Sequence, residues 1–142
     1  MRPLSYGLSY GDCVACIDMM FKKARKDKRL PLAASITDAH GDLIAFGRMD
    51  GAPVRTVTLS RNKAYTSIFM DRDTPVFRDM MTQYGFELNW FGNPQLTALP
   101  GGARIIGASG CVGAIGLSGR SADQDHEYAL LGVEFLKKRL AG

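Results

Sequence analysis

Apolar residues recur at helical spacing in some parts of this chain and form short strand-like runs in others. Cys13, Ile17 and Met20 repeat at helical spacing behind Asp12, a residue type that caps helices. Read along the whole chain, the pattern predicts four helices, over residues 12–28, 53–70, 74–83 and from about 121 onward.

Short apolar runs bounded by turn residues predict the strands. Two hairpins follow, residues 32–37 with 43–47 and residues 103–108 with 111–117. A further brief strand is expected near 95–99, inside a long loop. Hairpin-connected strands make an antiparallel sheet, and the helices must cover its faces. The pattern therefore predicts one domain over residues 1–142, of the α/β or α+β class.

The charge of the chain is concentrated in two runs. The net charge is +4, but residues 22–29 hold six bases and one acid, and residues 137–139 hold three more bases. Without both runs, 9 basic and 13 acidic residues remain (18 − 9 and 14 − 1), a net charge of −4. Each run lies in the last turn of a predicted helix, where cations complement the helix dipole. No aromatic residue interleaves them, so we expect no nucleic-acid partner.

The sequence also indicates where the protein acts. No apolar stretch approaches the roughly 20 residues that span a bilayer, so no membrane association is expected. The N-terminus, MRPLSYGLSYGD, lacks an apolar signal core, which predicts a cytoplasmic protein.

Three cysteines, Cys13, Cys16 and Cys111, are an odd number, unlike a secreted disulfide framework. Cys13 and Cys16 form a C-x-x-C, but no predicted strand precedes it, as a thioredoxin-like site requires, and only one potential zinc-ligand pair is closely spaced. Small buried core residues are the main interpretation, with axial ligation of a haem iron as the alternative. No metal site is predicted.

Residues 111–129, CVGAIGLSGRSADQDHEYA, join a glycine-punctuated apolar strand to a polar turn that opens a helix. Glycine weakens a strand unless a backbone, helix or ligand must come close to it. Gly116 and Gly119 therefore mark a place to look for a bound anion or flat cofactor.

This run, together with GRMDGAPVRTVTLSRNKAYTS at 47–67 and ASITDAHGDLIAFGRMDGA at 34–52, resembles the GlcG/HbpS family, which includes the C-terminal domain of PduO-type proteins. The resemblance covers nearly the whole chain. It implies an α+β, profilin-like antiparallel sheet of about five strands with flanking helices, assembly into homo-oligomers, and haem as a cofactor.

Two motifs of the resemblance carry candidate site residues. Arg48, Met49 and Asp50 match the family's R-M-D-G-A, so Arg48 is expected to bind a carboxylate or propionate or to shape the turn. Lys63 matches a K-A step on a helix. If it points toward the sheet it needs an acidic partner, either Asp38 or Asp125. Lys63 and Asp38 are the candidate catalytic pair.

Other candidates come from the turns. His40 lies in the DAHGD hairpin turn. Gly102 and Arg104 stand where the family often reads G-G-x-P, and Ser118, Gly119 and Arg120 stand where it often reads S-G-G. Both departures add a cation beside the suspected glycine-rich pocket, which favours an acidic ligand.

Three functions remain open at this point. The first is a protein that binds haem or a similar tetrapyrrole in a glycine-rich, arginine-flanked pocket, with His40, Cys13, Cys16 or Met49 as axial ligand. The second is a small enzyme acting on a carboxylated metabolite such as a hydroxy acid or an aromatic catabolic intermediate. The third is an accessory subunit that serves assembly alone.

Overall fold

The computed structural model describes residues 7–141, which form a three-layer α+β fold. Its helices are α1 (Tyr10–Lys26), α2 (Arg55–Phe69), α3 (Thr74–Tyr84) and α4 (Ala122–Ala141), with a short 3-10 turn at Leu88–Phe91. Its strands are β1 (Ala33–Asp38), β2 (Leu43–Arg48), β3 (Gly102–Gly107) and β4 (Gly110–Ser118).

The strands form one antiparallel sheet in the order β2-β1-β4-β3. Both predicted hairpins are present, and the described residues contain four strands rather than about five. The expected strand near 95–99 is absent because the loop is held by side chains instead of a ladder. The backbone N–H of Thr97, for example, donates to Thr66 Oγ1 on α2 at 3.0 Å.

The helices begin within two residues of their predicted starts. Ser9, not Asp12, caps α1, since its hydroxyl accepts the Asp12 N–H at 3.1 Å. Asp73 precedes α3. Ser121 caps α4, accepting the Gln124 N–H at 3.2 Å.

The two faces of the sheet are covered differently. α1 and α4 cover one face, where large apolar side chains meet, including Met20 of α1, Leu136 of α4 and Ile115 of β4, all fully buried. α2 covers the other face, and its buried residues are small or polar: Thr56, Ser60, Lys63, Ala64, Thr66 and Ser67. Because short side chains separate α2 from the sheet, its backbone lies close to the strands.

Candidate functional site

The glycines of β3 and β4 lie directly beneath helix α2. A side-chain carbon added at Gly116 would lie on the carbonyl oxygen of Ser60 and 2.7 Å from the Ala64 nitrogen. One added at Gly102 would meet the Lys63 carbonyl and lie 2.7 Å from Ser67 Oγ. These glycines make room for a helix, one of the close approaches that a strand glycine permits, rather than for the ligand that the sequence suggested.

The turn after β4 is filled by protein in the same way. Gly119 has a φ of +139°, a conformation that favours glycine, and it packs against the carbonyl of Pro31. Ser118, at the end of β4, is buried. Within the described residues, the predicted pocket over Gly102, Gly116 and Gly119 is therefore occupied by α2 and by the chain before β1.

Lys63 is buried between α2 and the sheet, with 2% of its surface exposed. Its ammonium group lies 3.0 Å from Asp125 Oδ2 and donates to the Leu117 carbonyl at 2.8 Å. Burial lowers the pKa of Lys63 and raises the pKa of Asp125, while each charge partly offsets the shift of the other. Of the two acidic partners considered from sequence, the structure thus places Asp125 beside Lys63.

Asp38, the other candidate, has a different task. Its carboxylate accepts the backbone N–H groups of His40 at 2.8 Å and Asp42 at 3.1 Å. These bonds hold the β1–β2 turn in shape, an ordinary use of aspartate in turns. Asp38 is not brought to Lys63, so the structure does not assemble the two as a catalytic pair.

The arginines gained relative to the family pattern are already paired. Arg104 bonds Asp71 at 2.9 Å and lies 3.7 Å from Asp73. Arg120, whose side chain is 1% exposed, binds both oxygens of Asp27 at 2.6 and 2.8 Å. Hydrogen bonds from Arg120 lower the pKa of Asp27 to about 2. These cations contribute to holding the fold together and are not free to bind an acidic ligand.

The predicted iron ligands differ in access. Cys13 and Cys16 are completely buried in the core between α1 and α4, and burial raises the pKa of Cys16 to about 12. The sulfur of Met49 accepts the Leu32 N–H at 3.3 Å. His40 is exposed in the β1–β2 turn, and its imidazole bonds no described residue. Among these four, His40 is the side chain whose donor atom is accessible.

The RMDG motif lies beside the edge strand. Arg48, at the end of β2, and Asp50, in the following turn, are both exposed, and neither side chain forms an ion pair with a described residue. By the register of the sheet, Arg48 and Phe46 lie opposite Ala33 and Ser35, on the face that α2 covers. Leu43 lies opposite Thr37 on the same face. α2 leaves Leu43 and Phe46 48% and 38% exposed.

Two features were missed by reasoning from sequence. His126 is half-buried, and its Nδ1 accepts the Gly101 N–H at 3.3 Å. Burial lowers the pKa of His126. In addition, a cavity of about 180 Å³ lies between the β1–β2 turn and α2, and Arg61, Asn62 and Tyr65 line it. The signal available was that these residues share the quoted RNKAYTS motif with Lys63.

Two classes of site are not found in the described part of the chain. No group of three or more His, Cys, Asp or Glu side chains is placed to hold a metal ion. Across residues 7–141, no helix combines the length and apolar character needed to cross a bilayer.

Comparison with known proteins covers most of the described chain. A family model described as haem degrading protein HbpS-like matches residues 8–134. A 15.0 kDa protein of Citrobacter freundii, encoded between dhaT and dhaS, is 30% identical over 104 residues, which cover 70% of this chain and 72% of that protein. The corrinoid adenosyltransferase PduO of Salmonella typhimurium is 30% identical over 105 residues, 71% of this chain but only 31% of PduO.

A solved structure agrees in fold. The crystal structure of a PduOC:heme complex superposes with a TM-score of 0.82 at 26% identity, covering 91% of this chain and 94% of that one. The resemblance found in the sequence is therefore confirmed.

Proposed function

Because the chain belongs to the HbpS-like family of haem-degrading proteins, we propose that it binds haem or a similar tetrapyrrole. The main support is the similarity, over 91% of the chain, to a protein whose crystal structure is a complex with heme. A single histidine that is open to solvent on the described surface supplies the donor chemistry that haem iron accepts.

We place the proposed site on the surface rather than in either of two cavities of the described region. The cavity of about 180 Å³ is smaller than the 300–1,000 Å³ usual for larger organic ligands. A second, open cavity of about 560 Å³ is lined by residues that include no histidine, cysteine or methionine: Leu88, Asn89, Gly92, Asn93, Pro94 and Leu96. Neither cavity has both enough volume for a tetrapyrrole and a side chain that binds iron.

The β1–β2 hairpin has the groups that such a ligand needs. His40 would hold the iron, and the exposed Leu43 and Phe46 offer an apolar surface to a macrocycle. Arg48 is exposed and forms no ion pair with described residues, so it can bind a propionate. When bound, haem would supply redox and ligand-binding chemistry at its iron, while these side chains orient it and neutralise its carboxylates.

Hemin titration of the purified protein tests this proposal, followed by absorbance in the Soret region with albumin and imidazole controls. We expect saturable binding that weakens at least about tenfold in His40→Ala, since a lost iron ligand is expected to cost more than 1.4 kcal/mol. His126→Gln is the matched control, because its Nδ1 already accepts a backbone N–H and its replacement retains an acceptor.

The two failures of this experiment are distinct. A weak, unsaturable change in the unmodified protein would overturn haem binding itself. Saturable binding that is unaltered in His40→Ala would overturn the hairpin as the site and leave haem as the ligand.

We also propose that the protein is a cytoplasmic homo-oligomer built from one profilin-like domain. The exposed aromatic residues after α3 support self-association: Tyr84, Phe86 and Trp90 form successive ring contacts with centroids 5.4 and 6.2 Å apart. Light scattering after size-exclusion chromatography tests it, and a monomer at micromolar concentration would overturn it.

A further inference from the structure

The cavity at the β1–β2 turn is assembled from three separate parts of the chain. Thr37 at the end of β1 and Asp42 in the turn line one side, Arg61, Asn62 and Tyr65 on α2 line the other, and Gln95 reaches it from the loop before β3. Segments so far apart in sequence meet here because the hairpin, the helix and the loop pack against one another.

Fixed contacts hold these walls in place. Gly41 has a φ of +87°, and a side-chain carbon there would lie 3.1 Å from the Tyr65 ring, so the turn packs closely on that ring. Tyr65 Oη accepts Asn93 Nδ2–H at 2.8 Å, and Asn93 Oδ1 accepts the Gln95 N–H at 3.0 Å. The cavity is therefore largely formed before any ligand arrives, which lowers the entropic cost of binding.

The charged groups of the cavity are not used by the fold. Arg61 forms no hydrogen bond or ion pair through its side chain with any described residue, and neither does the Asn62 amide. Asp42 lines the same cavity, and its carboxylate forms no ion pair with a described residue. Elsewhere in the described chain, Arg104 and Arg120 are paired with aspartates. Arg61 and Asp42 differ from them, because they line one cavity and are not paired with each other.

We propose that this cavity binds a small zwitterionic α-amino acid. The guanidinium of Arg61 matches a carboxylate, with two parallel N–H donors, and Asp42 matches an ammonium group. A simple carboxylic acid would leave Asp42 facing an anion, and a simple amine would leave Arg61 without a partner. Asn62 and Gln95 supply amide groups for a polar side chain, and a volume of about 180 Å³ limits the ligand to a small one.

Calorimetric titration of the haem-free, full-length protein tests the proposal. L-alanine and L-serine are the zwitterionic probes, propionate is alanine without its amine, and ethylamine is alanine without its carboxylate. We expect saturable binding of at least one amino acid. Propionate and ethylamine should bind at least about tenfold more weakly than that amino acid, because each lacks one charge-assisted bond.

Variants locate the binding. Arg61→Gln and Asp42→Asn should each weaken amino-acid binding about tenfold or more, for the same reason. Arg55→Gln is the matched control, since Arg55 is an exposed arginine on the same helix outside the cavity, and it should bind like the unmodified protein. Circular dichroism confirms that each variant is folded.

Three results would overturn the inference. They are no saturable binding of either amino acid, propionate binding as tightly as alanine, or unaltered binding in Arg61→Gln. Because the titration contains no haem, none of these results bears on the proposed tetrapyrrole site.

Discussion

Arg61 and Lys63 are two cations two positions apart on one helix, and the fold treats them in opposite ways. Lys63 points into the sheet, is 2% exposed and is paired with Asp125. Arg61 lies at the flank of α2, is exposed and pairs with no described residue. The difference shows that the space beneath α2 is used for folding, whereas the flank of the same helix remains available for a ligand.

Replacing Lys63 by Met is expected to have the largest effect, because Asp125 would remain buried without its cation. Breaking a buried pair on one side costs about 3–5 kcal/mol. Burial raises the pKa of folded Asp125, whereas in the unfolded chain it titrates near about 3.9. A carboxyl group whose pKa is raised in the folded state lowers the stability of the protein as pH rises. The loss of stability in the variant should therefore be small near pH 4 and grow toward pH 7. Urea unfolding at both pH values measures this.

The double variant Lys63→Met with Asp125→Asn is the control for that experiment. It removes both charges, so it should recover much of the stability lost at pH 7 and show little of the pH dependence. Equal losses at both pH values, with no recovery in the double variant, would contradict the idea that an unpaired Asp125 charge is the cause.

Gly116→Ala is expected to rank second, because the added carbon would collide with the Ser60 backbone and push α2 off the sheet. The cost should lie near or above the upper end of the roughly 1–3 kcal/mol found for overpacked cores. Gly11→Ala is the matched control, since Gly11 lies in α1 with open space around it and should gain up to about 1 kcal/mol. Similar thermal stability for the two variants would show that α2 moves freely over the strand.

Arg61→Gln is expected to have the smallest effect on folding, within about 0.5 kcal/mol, because an exposed and unpaired side chain contributes little to stability. The same urea unfolding assay measures it beside Lys63→Met. A decrease of more than about 1 kcal/mol in the free energy of unfolding would mean that Arg61 stabilises the turn and that its charge is not free to bind a ligand.

Much of the secondary structure was predictable from local patterns. The helices and the two hairpins appear within a few residues of their predicted bounds, because apolar spacing and turn residues act over short stretches of chain. The prediction of a strand near 95–99 was wrong for the described residues. The hydrogen bonds that hold this loop come from the side chains of Thr66 and Asn93, and the periodicity of apolar residues carries no information on such partners.

The candidate site was predictable only in part. Strand glycines indicated a close approach, but not whether a helix or a ligand makes it. Lys63 required an acidic partner, yet both Asp38 and Asp125 satisfied that requirement in the sequence. Arg120 was interpreted as an anchor for an acidic ligand because its true partner, Asp27, is 93 positions away along the chain.

The sequence by itself determined the family, the α+β class and the types of residue that could meet a haem or a carboxylate. The tertiary structure alone decided which of their charges are used within the fold and which remain unpaired. The physical reason is that pairing and burial depend on distances of a few ångströms between residues remote in sequence. Residue type and spacing fix the chemistry of a side chain, but packing fixes its partners.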